Sequence, residues 1–219
     1  MADSKAILSS WHANADAWLA AVREQRIDSR RTTNAAVLDA IKAGAPCRIL
    51  DVGCGEGWLC RALHDDGIKA VGIDATAPLI GAARAAGAGC FEVLSYDELA
   101  VDPLRLGRFD GVVFNFALFE TDPSPVLRAV RQAVSPEGRL IIQTVHPDRV
   151  AGHEGWREER FAGFGAAFPA VMPWYFRSMA GWERLLLDAG WRLIHQMAPA
   201  DPSGGLPLSL ILIAEPRPD

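Results

Sequence analysis

The sequence predicts an α/β fold: a doubly wound sheet of seven strands, mostly parallel, with one antiparallel strand near its edge. Two patterns and a size argument lead there. From Cys47 onward, short continuous apolar runs alternate with helical stretches, as strands do when helices cover both faces of a parallel sheet. The chain then closes on two apolar runs with no helix between them, which form an antiparallel hairpin. Its 219 residues, half of them hydrophobic, suffice to bury a single core, so one domain over 1–219 is expected.

Taken in order, "SSWHANADAWLAAV" sets Trp11, Ala15, Trp18 and Val22 on one helical stripe. The simplest reading is a helix packed on the sheet; within segment 1–45 it is also expected to act as a helical lid. "CRILDV" is the first strand and residues 58–66 a helix. "KAVGID" is the second strand, followed by an alanine-rich helix over 77–86. "GCFEVL" is the third strand, with a short "YDELA" segment after it. "FDGVVFNF" is the fourth, 125–134 an amphipathic helix, and "GRLIIQTV" the fifth strand. Ser178 is placed to cap a helix through "AGWERLLLDAG" that Gly190 stops. "WRLIHQM" and "LPLSLILIAE" are the last two strands, joined by the turn-rich "APADPSGG", so 179–219 reads as a final helix and hairpin. The segment 146–178, rich in aromatics and glycine, is too long for a plain connection and is expected to cap a substrate.

Composition removes several classes of function. A net charge of −5 offers no basic footprint for nucleic acid or anionic lipid. Cys47, Cys54, Cys60 and Cys90 show no CxxC spacing and lie in or beside apolar runs, which suits reduced thiols in a cytoplasmic protein. The N-terminal stretch lacks the apolar core of a signal peptide, and the last apolar run is too short to span a bilayer.

The stretch "ILDVGCGEGWL" raises the question of a ligand, because Gly53, Gly55 and Gly57 are costly residues where a helix begins. A dinucleotide fingerprint needs its third glycine at position 58, which is Trp58, and a P-loop needs a lysine that is missing. Glu56 would also repel a pyrophosphate at a helix N-terminus. No phosphate is expected at this bend.

The remaining pattern, D-x-G-x-G-x-G, resembles the first motif of the class I S-adenosylmethionine-dependent methyltransferases. "VGIDATAPLI" is similar to their ribose motif, "RFDGVVFNFAL" to the strand after the adenine loop, and "SPEGRLIIQTVHP" to their fifth strand. The resemblance covers residues 48–145 and is nearest to small-molecule enzymes of the quinone-biosynthesis type. It implies a Rossmann-like sheet, expected in the order 3-2-1-4-5-7-6, with 46–145 as the core that binds S-adenosyl-L-methionine and its product S-adenosyl-L-homocysteine. It implies that Gly53, Cys54 and Gly55, within the motif that Gly57 completes, bring backbone against the methionine portion while Asp51 reaches the ammonium. It further implies Asp74 on the ribose hydroxyls, Ala75 flanking the adenine, Ser95 and Tyr96 at the adenine edge, and Asn115 on the methionine side. Blander readings stand beside these: Asp51 or Asp74 as helix caps, Tyr96 as surface packing.

For chemistry, His146 stands at the carboxyl end of the fifth strand and is expected to orient or deprotonate the acceptor; alternatively it bonds the loop beginning at Pro147. His146, Asp148, His153 and Glu154 match no zinc spacing, so no metal is expected. Trp174, Tyr175 and Arg177, together with Arg30, suit a planar or anionic small-molecule acceptor, unless the aromatics are core and the arginines solvated. The run Asn115-Phe116-Ala117-Leu118 lacks the N-P-P-Y motif of enzymes acting on bases, which agrees with the charge in excluding nucleic acid. Phe119-Glu120 departs from quinone-type relatives, which often carry a histidine there. Rival readings are a dehydrogenase and a non-catalytic binding protein; beyond a small-molecule acceptor, and no membrane, a homodimer is the partner left open.

Overall fold

The computed structural model describes residues 2–165, 167–201 and 203–218. Ala166 in the expected cap and Pro202 in the expected turn lie outside the described residues, as do the first and last positions. In chain order the elements are α1 (Ala2–Arg23), α2 (Arg30–Lys42), β1 (Arg48–Val52), α3 (Trp58–Asp65), β2 (Lys69–Asp74), α4 (Ala77–Ala85), β3 (Cys90–Val93) and α5 (Tyr96–Val101). There follow β4 (Phe109–Asn115), α6 (Ser124–Ala133), β5 (Val134–Thr144), β6 (Gly155–Glu159), β7 (Met172–Phe176), α7 (Met179–Asp188), β8 (Trp191–Met197) and β9 (Leu210–Pro216). Among the described residues no helix is long and apolar enough to cross a membrane.

The main sheet runs β3-β2-β1-β4-β5-β9-β8. Strands β1 to β5 pair in parallel, and β9 is antiparallel to both β5 and β8. Counting only strands of this sheet, the order is the expected 3-2-1-4-5-7-6. Because side chains alternate across a strand, neighbouring residues feed two cores. Leu50, Val112, Phe114, Leu140 and Leu212 pack on one face with Leu127 and Trp191. Ile49, Val113, Ile141 and Ile211 pack on the other with Ile41 and Leu63. Each such fully buried side chain contributes roughly 1.5–3 kcal/mol. The final helix is built as its residues dictate: the Ser178 hydroxyl accepts from Gly181 N at 3.1 Å, and Gly190 turns the chain away at φ 84°.

The amino-terminal region departs from the simplest expectation. The helix on the sheet is α2, not α1: Val37, Ala40 and Ile41 join the second core, and Gln143 Nε2 donates to Thr33 O at 3.1 Å. Helix α1 lies instead against α4 and β7. Of the expected stripe only Ala15 is fully buried, while Trp11 and Trp18 are half-buried at a cavity. Helical periodicity marks a face that needs a partner, but it does not say which partner.

The insertion is more ordered than a loop. Strands β6 and β7 form an antiparallel ladder, and Tyr175 N donates to Phe119 O at 2.8 Å, joining the ladder to the loop after β4. Phe161 and Met172 bury with Ile7 and Phe119, with Trp11, Phe164, Phe168 and Trp174 packed around them. Asn14, wholly buried, closes this unit onto α1: its Nδ2 donates to Ala170 O at 2.8 Å and its Oδ1 accepts from Ala170 N at 3.0 Å.

Asn14→Ala would strip both partners from the half-buried backbone of Ala170, at a cost of about 1–3 kcal/mol. We expect hydrogen exchange to accelerate across α1 and residues 161–176 while the main sheet stays protected. Uniform acceleration over the whole chain would mean that α1 is not a separately docked element.

Candidate functional site

A cavity of about 860 Å³ opens at the carboxyl ends of β1, β2 and β4, walled by α1, α2, the start of α5 and the insertion. Its floor is the bend after β1. Gly53, Gly55 and Gly57 all lie in the left-handed region, at φ 79°, 56° and 76°. Their surroundings differ. A Cβ on Gly55 would meet no described heavy atom within 4 Å, so this backbone faces open space. A Cβ on Gly57 would fall 2.5 Å from Phe91 Cε1, inside the core. Gly57 is therefore a packing glycine and does not line the cavity, contrary to its expected place in the binding surface.

The bend's own N–H groups are engaged. Gly53 N and Cys54 N donate to Ile73 O at 2.8 and 2.9 Å, Gly57 N to Cys54 O at 3.0 Å, and Gly55 N to Asp74 Oδ2 at 3.0 Å. Asp74 Oδ1 accepts from Thr76 N at 2.7 Å. Burial raises the Asp74 pKa, and the Thr76 and Gly55 N–H groups, with the Thr76 hydroxyl, oppose it. Three donors leave the carboxylate with acceptor capacity to spare.

Asp51 is in a harsher position. It is 1 % exposed, its Oδ2 accepts only a long bond from the Cys60 thiol at 3.7 Å, and its Oδ1 meets no donor among the described residues. Burial pushes its pKa from 3.8 to about 7, against the Cys60 bond, with Glu56 and Asp74 adding repulsion. Asn115, also lining the cavity, holds its Oδ1 buried with no donor among the described residues. An unmet carboxyl of this kind calls for a cation.

The model of a methyltransferase domain matches residues 19–196, most of the chain. The chain belongs to the methyltransferase family. It is 26% identical over 165 residues to an uncharacterized methyltransferase of Schizosaccharomyces pombe, covering 72% of this chain and 64% of that one. It is 28% identical over 145 residues to a ubiquinone biosynthesis O-methyltransferase of Rhodopseudomonas palustris, covering 65% of this chain and 53% of that one. The chain thus spans about half to just under two thirds of these relatives' length. A solved S-adenosylmethionine-dependent methyltransferase from Mesorhizobium loti superposes with a TM-score of 0.63 at 25% identity, covering 81% of this chain and 96% of that one.

The remaining expected residues divide. Cys54, Ala75, Ser95, Tyr96, Arg30 and Trp174 line the cavity with those above. Tyr96 is no surface residue: its hydroxyl donates to Ala117 O at 2.9 Å and its ring stands edge-on to Phe114. The Ser95 hydroxyl is used in capping α5, accepting from Glu98 N at 3.2 Å and donating to Glu98 Oε2 at 2.7 Å. Arg30 Nη2 bonds Glu56 Oε1 at 2.9 Å, Trp18 Nε1 reaches Glu56 Oε2 at 3.4 Å, and Arg30 Nη1 is buried without an acceptor among the described residues.

His146, Tyr175 and Arg177 do not line the cavity. The His146 Nδ1 accepts from Asp148 N at 3.2 Å, capping the short turn Pro147–Arg149, which is the loop role and not the expected one on an acceptor. Side-chain alternation along β7 turns Trp174 inward and Tyr175 outward, onto Trp156. Arg177 is neither solvated nor in the site. It is 6 % exposed beside the Trp182 and Tyr175 rings, with Nη2 donating to Glu120 O and Thr121 O at 3.0 and 2.9 Å. Among the described residues no three His, Cys, Asp or Glu side chains gather as a metal site would require.

Two acids were not on the expected roster of site residues. Glu56 had counted only against phosphate, yet it joins α1, α2 and the bend. Glu120 lines the cavity, and burial raises its pKa. The motif break at Phe119-Glu120 was the signal for it.

A raised Asp51 pKa favours the folded state most below about pH 4, and the benefit is lost as pH rises through about 7. Asp51→Asn is therefore expected to stabilise the unliganded protein at about pH 8, by on the order of 2–4 kcal/mol, with little gain near pH 4. Thermal denaturation at both pH values checks this; equal gains at both would contradict it.

Proposed function

We propose that this chain is an S-adenosyl-L-methionine-dependent methyltransferase that alkylates a small-molecule acceptor by direct displacement. The observation that carries the reading is the pair of carboxyls closing β1 and β2. Asp51 is buried and unmet on Oδ1, as a partner for an ammonium would be. Asp74 is held by two N–H groups with lone pairs to spare, as an acceptor for two neighbouring hydroxyls would be. A diphosphate finds the opposite chemistry, since four N–H groups of the bend are already engaged and Asp51, Glu56 and Asp74 surround it.

When bound, the cofactor supplies a methyl group already activated on a sulfonium. The protein's part is then to hold and align, an effect worth up to about 7–11 kcal/mol at its limit. Asp51 receives the ammonium, and the orphaned Arg30 Nη1 takes the carboxylate at the same end. Asp74 receives the ribose, Ala75 and Tyr96 bound the adenine, Gly55 admits close approach of backbone, and Asn115 faces the methionine chain. Helix α1 acts as the lid and the insertion as the acceptor cap, tied together through Asn14. The name of the ubiquinone-pathway relative and the size of the cavity support a small acceptor. Its walls carry Asp51, Glu56, Asp74, Asp97, Glu120, Asp122 and Glu159 against Lys5, Arg30 and Arg149, so an anionic acceptor is not favoured.

S-adenosyl-L-homocysteine at a hundredfold excess over its Kd should stabilise the fold by about 2.7 kcal/mol, a rise in Tm of several degrees. NAD should give no shift, and Asp74→Ala should lose most of the gain with the nucleoside product. Stabilisation by NAD alone would overturn the assignment.

A further inference from the structure

We propose that Glu120 receives the proton-bearing nucleophile of the methyl acceptor, and that this acceptor is an aromatic hydroxyl or amine bearing no anionic group. This rests on the methyltransferase reading and extends it to the acceptor. Glu120 lies within the loop that leaves the carboxyl end of β4 directly after Asn115 and runs to the start of α6 at Ser124. That loop is pinned along its length. Phe116 takes φ 51° with its N–H on Gln143 O at 2.8 Å, Ala117 O accepts from the Tyr96 hydroxyl, Phe119 O accepts from Tyr175 N, and Arg177 holds Glu120 O.

With its backbone so fixed, the carboxylate is presented to the cavity. Phe119 N donates to Oε2 at 3.1 Å, and the Glu120 N–H also helps hold the group, which leaves further acceptor capacity. Arg177 bonds the backbone carbonyl of Glu120 and not its carboxylate. The walls nearby are aromatic: Trp11, Phe119, Phe161, Phe164 and Trp174 line the same cavity. They offer faces to a planar ring, and the acids lining the cavity outnumber Lys5, Arg30 and Arg149.

Elimination points to the same residue. No histidine lines the cavity among the described residues. Asp51 and Asp74 serve the cofactor half, Glu56 is paired with Arg30, Asp97 is exposed at the start of α5, Asp122 accepts from Ser124, and the Glu159 carboxylate holds Phe161 N at 2.5 Å. Burial keeps the Glu120 carboxyl more basic than an exposed glutamate, with Asp97 adding repulsion and Arg177 opposing it. In the transfer, a bond forms between the acceptor's oxygen or nitrogen and the methyl carbon, the carbon–sulfur bond breaks with its electron pair leaving on sulfur, and the acceptor's proton passes to Glu120.

Calorimetry with S-adenosyl-L-homocysteine present tests this without turnover. Four probes share one ring system: 2-naphthol, 2-naphthylamine, 2-methoxynaphthalene and 2-naphthoate. The wild-type protein should prefer the naphthol, the amine or both to the methoxy compound by about ten- to a hundredfold, and should take 2-naphthoate at least about tenfold more weakly than the preferred donor. Glu120→Ala should erase the preference for the donor, and Glu120→Gln should make it independent of pH. In the wild type the preference should fade as pH drops through the raised Glu120 pKa. Tyr96, Asp97 and Arg177 are the other ionisable groups that act on this carboxyl, and Asp97→Asn should leave the fade in place. A preference unchanged in Glu120→Ala, or 2-naphthoate bound as well as the donors, would overturn the proposal. Failure of the nucleoside to bind at all would strike the cofactor reading instead; the probe preferences, repeated without it, would still judge Glu120.

Discussion

Asp51 is a buried carboxyl that no N–H group among the described residues meets, and the site is arranged around that deficit. Strand β1 lies beside β4 near the middle of the sheet, so the backbone carrying Asp51 is fixed by ladders on both sides. Its Oδ1 meets no donor among the described residues, the Cys60 thiol offers Oδ2 only a long bond, and Glu56 and Asp74 make the region still less hospitable to negative charge. A protein tolerates such an arrangement where a ligand's positive group relieves it. The same deficit explains why the bend is unsuited to phosphate although its glycines suggest one. Its N–H groups are turned onto Ile73, Cys54 and Asp74, leaving carboxylates as what the cavity floor has to offer.

The three glycines of the bend share a sign of φ but answer to different neighbours. Gly53 lets the bend approach Ala117, whose Cβ would stand 2.6 Å from an added Cβ, and this brings the loop after β4 over the floor. Gly55 faces the open cavity, and Gly57 admits the Phe91 ring from β3. A single motif therefore couples the packing of the sheet edge, the binding surface and the position of the acceptor loop.

The sheet was legible because its order follows from short-range pattern: continuous apolar runs for β1, β2, β4 and β5, then two runs without a helix at β8 and β9. Asp51 and Asp74 were legible because strand ends are easy to locate and the spacing of the acids is regular. Orientation was not. Whether His146 turns to the cavity or to Asp148 N depends on a three-residue turn, and no periodicity encodes that. Tyr175 and Arg177 fell on the far side because β7 was not anticipated, and without the strand its alternation could not be used. Helix α2 escaped notice because its apolar face is short, Val37, Ala40 and Ile41, inside a polar stretch.

Arg177 carries the argument from fold to specificity although it touches no ligand surface. Its guanidinium joins the end of β7 to the carbonyls of Glu120 and Thr121, while Tyr175 N takes Phe119 O one step earlier. The ladder that follows β5 and the loop that follows β4 thus move as one body. Met172 and Trp174 on that body line the same cavity as Glu120, with Trp11 arriving from α1. On the proposed reading, acceptor shape and acceptor protonation are read by one unit, and the cofactor by another built from the strand ends. The two meet at Asn115 and at the contact of Gly53 with Ala117, so a change in the insertion can alter the choice of acceptor while leaving the carboxyls of β1 and β2 where they are.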